Sequence, residues 1–348
     1  MPPLTRCRRS DVPATIRLMV SEHDLRSVTT WLEECHRPLL FSHKRPDGDS
    51  LGAMAAMSLV LRRRGVEPAL VLFGPLPEPY AFLEPDGKWH VWDDVRDVLA
   101  VQCDAVVILD TCAVSQLEPA AGFLAHAPRT MVIDHHATFD PIGTRAGDLR
   151  LFDETASATS LIVAEWLRAA GLSFDEPLAT ALLTGIATDC GWFRFTNTDA
   201  RTIRMAADLV EAGADVAGIY SQLYQQDPPA KLKLIARALM SLELKAHDRL
   251  AVMYLRAADF EQTGADSRLT ENLVNEAARL ASTEATLLFI EEPDRTIRVN
   301  FRSKRQLDVS ELARRFGGGG HARAAGARLR GAWDQVVPRV VAETVEAL

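Results

Sequence analysis

The stretch MVIDHHATFD, residues 131–140, runs from a short apolar segment straight into an aspartate and two consecutive histidines. With Thr130 in front, the apolar part has the length of a buried strand. PLLFSH (38–43), ALVLFG (69–74) and DAVVILD (104–110) are further apolar runs, each ending in a polar turn. Helical stretches lie between some of them. DSLGAMAAMSLVLRRRG (49–65) closes on arginines and a glycine, as a helix C-terminus should. Apolar strands alternating with helices predict a parallel sheet covered on both faces.

Helices are expected next, at 157–171, 175–189 and 199–213. After YQQDPPAKLKL (224–234) the pattern changes. Strands are expected at 249–255, 285–292 and 296–303, the last two joined by the turn PDR, and helices at 269–281, 309–316 and 332–347. The fold class is therefore α/β: a parallel-sheet domain with helices on both faces, joined to a smaller α+β domain. The boundaries read as an extension with the start of the first helix at 1–36, a catalytic domain at 37–215, a linker at 216–235 and a second domain at 236–348. The opening residues lack the apolar centre of a secretory signal, and Met19 is an alternative start.

The chain has 348 residues, 47% hydrophobic and 25% charged, which is ordinary globular composition. No apolar run approaches the ~20 residues of a membrane-spanning helix, so no membrane partner is expected. The five cysteines (7, 35, 103, 112 and 190) are odd in number and form no C-x-x-C pair. Buried thiols in a reducing cytoplasm fit that pattern. Net charge is −8, unevenly spread: residues 231–348 carry 19 Lys and Arg against 16 Asp and Glu, a net +3, which leaves −11 on residues 1–230. An acidic protein is a poor grip for long nucleic acid. Metals on one half and a small anion on the other suit this asymmetry.

Four segments of the first domain end in the same chemistry. SHKRPDGDS offers His43, Asp47 and Asp49; ILDTC offers Asp110; VIDHH offers Asp134, His135 and His136; IATDCGWF offers Asp189. In an open parallel sheet the C-terminal strand ends share one edge, so these groups can converge. Converged carboxylates repel unless cations sit among them. His and Asp without Cys suit Mn²⁺ or Mg²⁺, with Zn²⁺, Fe²⁺ or Co²⁺ also open. Gly48 permits a tight turn between Asp47 and Asp49, and Asp49 stands where a helix N-cap would. His135 and His136 diverge in an extended segment, so one is expected to ligate and the other to face substrate. Asp134 then fits the role of accepting a ring N–H and fixing a tautomer.

In the second domain, GGGGHARAAG (317–326) follows a helix, so a dinucleotide fingerprint is not expected. Backbone N–H groups cradling a phosphate are the favoured reading. Arg302 is expected to touch substrate. Arg295, Arg298, Lys304 and Arg305 are expected to face solvent. His23, His36, His90, His126 and His247 read as structural or surface residues. The aromatics of GWFRF read as core, with stacking on a nucleobase as the alternative.

HKRPDGDSLGA, ILDTC, VIDHHAT and GIATDCGWFRFTNT resemble the four ordered motifs of the DHH phosphoesterase superfamily, and RVNFRSK and GGGGHARAAGA resemble its C-terminal DHHA1 domain. Within it the two-domain form is similar to the nanoRNase/pAp-phosphatase (oligoribonuclease NrnA-like) group. That resemblance implies an active site in the cleft between the domains and two Mn²⁺ ions, with Mg²⁺, Co²⁺ or other divalent ions as substitutes. One ion falls to His43, Asp47 and Asp110. The second falls to Asp49, Asp110, His135 and Asp189, Asp110 bridging. It places His136 on the scissile phosphate and Arg302, Ser303, Gly319, Gly320 and His321 on the substrate's terminal phosphate or nucleotide. Cys112 and Cys190 stand where small hydroxyl residues are expected, and a thiolate ligand is the minor alternative there. The implied substrates are RNA fragments of a few nucleotides, linear dinucleotides such as pApA, and 3′-phosphoadenosine 5′-phosphate. Monomer and homodimer both stay open. The rivals are a family II inorganic pyrophosphatase, a RecJ-like exonuclease, a cyclic dinucleotide phosphodiesterase and a non-catalytic nucleotide-binding regulator.

Overall fold

The computed structural model describes residues 21–83, 89–137 and 139–348, except the side chains of Glu22, His23 and His321. Met19 and Cys7 lie outside the described residues. The chain forms two compact units, residues 1–226 and 227–348.

The first unit opens with helix α1 (Glu22–Glu33), strand β1 (Pro38–Phe41), helix α2 (Gly48–Arg63) and strand β2 (Ala69–Leu72). It continues through β3 (Trp89–Val91), α3 (Trp92–Gln102), β4 (Ala105–Leu109), the short α4 (Ala121–Leu124), β5 (Thr130–Asp134) and β6 (Leu149–Phe152). Helices α5 (Thr159–Ala169), α6 (Glu176–Asp189), α7 (Ala200–Glu211) and α8 (Val216–Tyr224) follow. The six strands form one wholly parallel sheet in the order β3-β2-β1-β4-β5-β6. β1, β4 and β5 are buried throughout, which is why they read as unbroken apolar runs. One face packs against α1, α2, α5 and α6 through residues such as Leu51, Met54, Leu161 and Leu182. The other carries Phe41, Trp92, Ile108 and Leu117. The expected doubly covered parallel sheet is what forms.

The strand order reverses between β1 and β4, the point at which open α/β sheets bind ligands. Helix α2 starts there. Its N-cap is Asp47, not Asp49: the Asp47 carboxylate accepts from Asp49 N and Ser50 N. α2 also crosses α6 closely. A Cβ on Gly52 would lie 2.5 Å from the Ala181 carbonyl, so the crossing requires glycine. Helix α1 buries Val28, Trp31 and Leu32 in the same core, so residues 21–33, expected within an extension that holds the start of the first helix, are part of the first unit.

The second unit contains α9 (Pro229–Met240), β7 (Glu243–Lys245), β8 (Leu250–Leu255), α10 (Ala257–Thr263), α11 (Val274–Ala277), β9 (Ala285–Glu291), β10 (Ile297–Ser303), α12 (Val309–Arg315), β11 (Gly319–His321), β12 (Ala324–Leu329) and α13 (Trp333–Ala347). The sheet is mixed, in the order β11-β12-β10-β9-β8-β7, with only β8 and β9 parallel. Residues 216–235, expected as a linker, are occupied by α8 and the first half of α9. The helix expected at 269–281 is instead a 3-10 turn (Ser267–Thr270) and the short α11, because Asn272 adopts a left-handed φ of 64° that no α-helix accommodates. Part of the glycine run is an edge strand paired with β12.

Candidate metal centre

Asp110 follows β4 with a left-handed φ of 66°, a strained setting for a residue with a Cβ, and its N–H donates to the Ile133 carbonyl at 2.9 Å. That kink turns a buried carboxylate, 2% exposed, into the middle of the site. His43 Nε2 lies 3.4 Å from Asp110 Oδ2 and 3.8 Å from Asp47 Oδ1. His135 Nε2 lies 3.6 Å from Asp110 Oδ1, 3.7 Å from Asp189 Oδ2 and 3.9 Å from Asp49 Oδ2. Donors about 2.0–2.2 Å from one ion sit about 3–3.5 Å apart, so these spacings are close to those of shared ligands. His43, Asp47 and Asp110 form one group able to hold an ion; Asp49, His135 and Asp189 form another; Asp110 also groups with His135 and His136.

The donor chemistry fits a cation. His135 Nε2 is buried with no hydrogen-bond partner among the described residues, while its Nδ1 is 3.2 Å from the Ala156 carbonyl, which fixes the ring with Nε2 aimed at the carboxylates. Burial and the neighbouring Asp49 charge push the Asp110 carboxyl well above its usual range, and the same two causes bring Asp189 to about 6. For His43, burial opposes the imidazolium, but hydrogen bonds to Asp110 and Asp47 outweigh it and raise the pKa to about 10.

The two histidines of the opening stretch have different neighbours. Asp134 Oδ1 accepts from the His136 backbone N–H at 3.0 Å and sits 2.8 Å from its Nδ1. That hydrogen bond raises the His136 pKa to about 9. With Nδ1 committed to Asp134, Nε2 of this 53% exposed side chain is left for a ligand. A cavity of about 210 Å³ is lined by His43, Asp47, Asp110, Thr111 and His136.

Sequence reasoning missed the frame behind the donors. Both oxygens of Asp49 accept backbone N–H groups from the start of α5, Thr159 N at 2.6 Å and Ser160 N at 2.8 Å. The N-cap residue of α5, Ala158, has no side-chain oxygen, so Asp49 caps that helix from 110 residues away. Thr159 Oγ1 donates to Asp110 Oδ1 at 3.1 Å. The loop before α5 is held by Arg201 of α7, which pairs with buried Asp153 at 2.8 Å and with Glu165. No local pattern announces either contact.

Cys112 and Cys190 belong to none of these groups. Both are buried thiols whose pKa burial raises, and Cys112 Sγ donates to the Asp140 carbonyl. Gly191, Trp192 and Phe193 all have left-handed φ, and Trp192 packs edge-on against Tyr220 and Tyr224.

In the second unit, Arg302 donates Nε–H to Asn275 Oδ1 at 3.0 Å and Nη1–H to the Phe301 carbonyl at 3.1 Å. Arg298, expected in solvent, is paired with Glu292 at 2.6 Å and Thr270 Oγ1 at 2.6 Å; the carboxylate six residues earlier is brought opposite by the β-turn. Lys304 likewise donates to the Leu280 carbonyl. The Ser303 hydroxyl donates to the Leu307 carbonyl at 2.7 Å. The backbone of Gly319, Gly320 and His321 forms β11, and the His321 side chain lies outside what the structure describes.

Sequence comparison agrees with this anatomy. The DHH family N-terminal domain matches residues 38–186, and the DHHA1 domain matches residues 247–348. The chain belongs to the DHH family and carries both of its domains. It is 29% identical to the bifunctional oligoribonuclease and PAP phosphatase NrnA of Thermus thermophilus, over 93% of this chain and 94% of that one. The protein of the same name from Bacillus subtilis is 28% identical over 88% and 92%. A crystal structure described as an exopolyphosphatase-related protein from Bacteroides fragilis superposes with a TM-score of 0.80 at 21% identity, covering 94% of this chain and 96% of its own; it shows the same fold.

Proposed function

We propose that this chain is a two-metal phosphoesterase that hydrolyses RNA of two to about five nucleotides, linear dinucleotides such as pApA, and 3′-phosphoadenosine 5′-phosphate, releasing mononucleotides. The observation that carries this reading is the overlap of the donor groups on Asp110, among the described residues the one carboxylate within reach of both His43 and His135. The names of the two relatives, oligoribonuclease and PAP phosphatase, support the substrate class. We assign His43, Asp47 and Asp110 to one divalent ion, and Asp49, Asp110, His135 and Asp189 to the other, with Mn²⁺ the preferred metal. Bound there, divalent ions lower the pKa of water and neutralise phosphoryl charge.

The protein's own contribution is orientation. Asp134 holds His136 so that Nε2 can donate to a non-bridging phosphoryl oxygen as charge builds on it. Ala156 holds His135 in its ligating tautomer. Arg302, Gly319, Gly320 and His321 bind the far phosphate or nucleotide of the substrate, with Ser303 shaping that strand end. A cytoplasmic setting is consistent with the four described cysteines, all of them free.

The test is a panel with added Mn²⁺: pAp, pApA, cyclic di-AMP, pyrophosphate, a 5-mer RNA and a long single strand. Turnover of pAp, pApA and the 5-mer supports the reading. Turnover confined to pyrophosphate or cyclic di-AMP replaces it, and binding without turnover of any member identifies a regulator.

A further inference from the structure

Within the second unit, β10 turns Arg298, Asn300 and Arg302 outward in alternation while Ile297, Val299 and Phe301 enter the core. A cavity of about 260 Å³ opens between these three side chains and the segment bearing Arg268, Thr270, Glu271 and Asn272; among the described residues no ion pair joins the Glu271 carboxylate to Arg302. Two of its arginines are already neutralised, Arg298 by Glu292 and Arg268 by Asp266 at 2.6 Å. Arg302 differs. Among the described residues its partners are neutral, an amide oxygen and a carbonyl, and burial disfavours its charge. A half-buried guanidinium without a counterion is a place for an anion. Asn300, between the two arginines, makes no side-chain hydrogen bond among the described residues, so one acceptor and two donors face the cavity unused.

The strand register shows what lies beside them. Directly opposed residues of antiparallel strands share a face. Asn300 is opposite Gly326, which is opposite Gly319; Arg302 is opposite Ala324. These glycines are not there for the fold. Neither has a left-handed φ, and among the described residues a Cβ on Gly326 meets nothing nearer than 3.5 Å and one on Gly319 meets nothing within 4 Å. Their neighbours are the opposite case. A Cβ on Gly318 would lie 2.1 Å from the Gly326 carbonyl, and Gly320 has a φ of 145° with Ala324 O at 2.5 Å. Glycine is structurally required at 318 and 320 and structurally optional at 319 and 326. A glycine in a strand often marks a bulge, a tight bend or a site where a ligand or another backbone approaches closely, and the open space at 319 and 326 favours a ligand.

We propose that Asn300 reads the nucleobase of the bound nucleotide: Arg302 takes the phosphate, the base lies on the peptide surface of Gly326 and Gly319, and the Asn300 amide pairs with its edge. This rests on the phosphoesterase reading and deepens it, assigning the reading of the base edge to Asn300 and the base platform to Gly326 beside Gly319 of the Gly-Gly-His run. The amide's mixed donor and acceptor character matches a heterocycle edge, whereas a phosphate offers acceptors only.

The test is calorimetric titration of the full chain in EDTA, which keeps phosphate off the metal centre, with AMP, ribose 5-phosphate and inorganic phosphate. AMP should bind at least 10-fold more tightly than ribose 5-phosphate. Asn300→Ala should remove most of that advantage while changing ribose 5-phosphate affinity less than about 2-fold, the loss of one or two neutral hydrogen bonds being worth about 3- to 10-fold each. Gly326→Ala should weaken AMP selectively with an unaltered melting temperature, and Gly319→Ala repeats the test if the first variant misfolds. Equal binding of AMP and ribose 5-phosphate, or an AMP advantage that survives both Asn300→Ala and glycine substitution, overturns the proposal. Failure of the phosphoesterase reading is separate: it appears as no dinucleotide turnover with Mn²⁺ while base-dependent AMP binding in EDTA persists.

Discussion

Asp110 and Asp134 are buried carboxylates 24 residues apart, and their neighbours set them different tasks. Asp110 reaches both His43 and His135, so Asp110→Asn should lower kcat for pApA on the order of 10³-fold or more, because water activation depends on both ions. Wild-type turnover in this variant, or in EDTA, would end the two-metal reading. Asp134 bonds only to His136 in the site. Asp134→Asn should therefore lower kcat about 10- to 100-fold, the scale of removing an outer-shell orienter, while Mn²⁺ affinity stays near wild type. A parallel loss of Mn²⁺ binding would show that His136, through Nδ1, is a ligand and that Asp134 serves the metal.

At the scale of elements, the candidate metal centre is also a helix junction. Asp49 belongs to α2 yet caps α5, so its removal has a stability cost independent of metal. In EDTA, Asp49→Ala should unfold more easily than Asp49→Asn by about 0.5–2 kcal/mol, since the amide can still accept an N–H bond. Equal stabilities would remove the capping role. Arg201 provides a second junction, tying α7 to Asp153 and to Glu165 of α5. Arg201→Met leaves the buried Asp153 carboxylate unpaired and should destabilise the first unit by on the order of 3 kcal/mol. In the second unit, Glu284 accepts from the backbone N–H groups of Arg305, Gln306 and Leu307. Burial raises its pKa, but those bonds outweigh burial and leave it lowered from 4.5. A lowered folded pKa means the stabilisation is present above the unfolded value and lost as pH falls through the folded one. Glu284→Gln should flatten the fall in melting temperature below pH 4.5, and an unchanged slope would show that the loop does not depend on that charge.

For the whole molecule, charge and length decide which substrates fit. A net charge of −8 leaves few free cations to follow a polynucleotide backbone, so kcat/KM should fall steeply from dinucleotides to long single strands. Comparable kcat/KM on a long strand contradicts this. Arg302→Ala should lower kcat/KM on pApA by about 10- to 100-fold and reduce the ratio of pApA to bis-p-nitrophenyl phosphate hydrolysis, because only the dinucleotide has a distal group to hold. A proportional fall on both esters would make Arg302 a structural residue.

The sequence by itself determined the parallel sheet, because strands buried on both faces must be apolar throughout, and it determined which residue types could meet at the strand ends. It also showed a change of pattern after residues 224–234, where the run of apolar strands and helices gives way to alternating strands such as β10, and the structure divides the chain after residue 226. The edge strands were not legible: WHV and LRLF break their apolar residues with a histidine and an arginine, unlike the unbroken PLLF and ALVL, and are too short to show a period instead. Tertiary structure alone decided the pairings. Asp49 meeting Thr159 and Asp153 meeting Arg201 depend on where elements pack, and a through-space contact leaves no period in the chain. Four glycines in a row look alike in sequence. Only the backbone angles and neighbouring atoms separate Gly318 and Gly320, which the fold needs, from Gly319, which it does not.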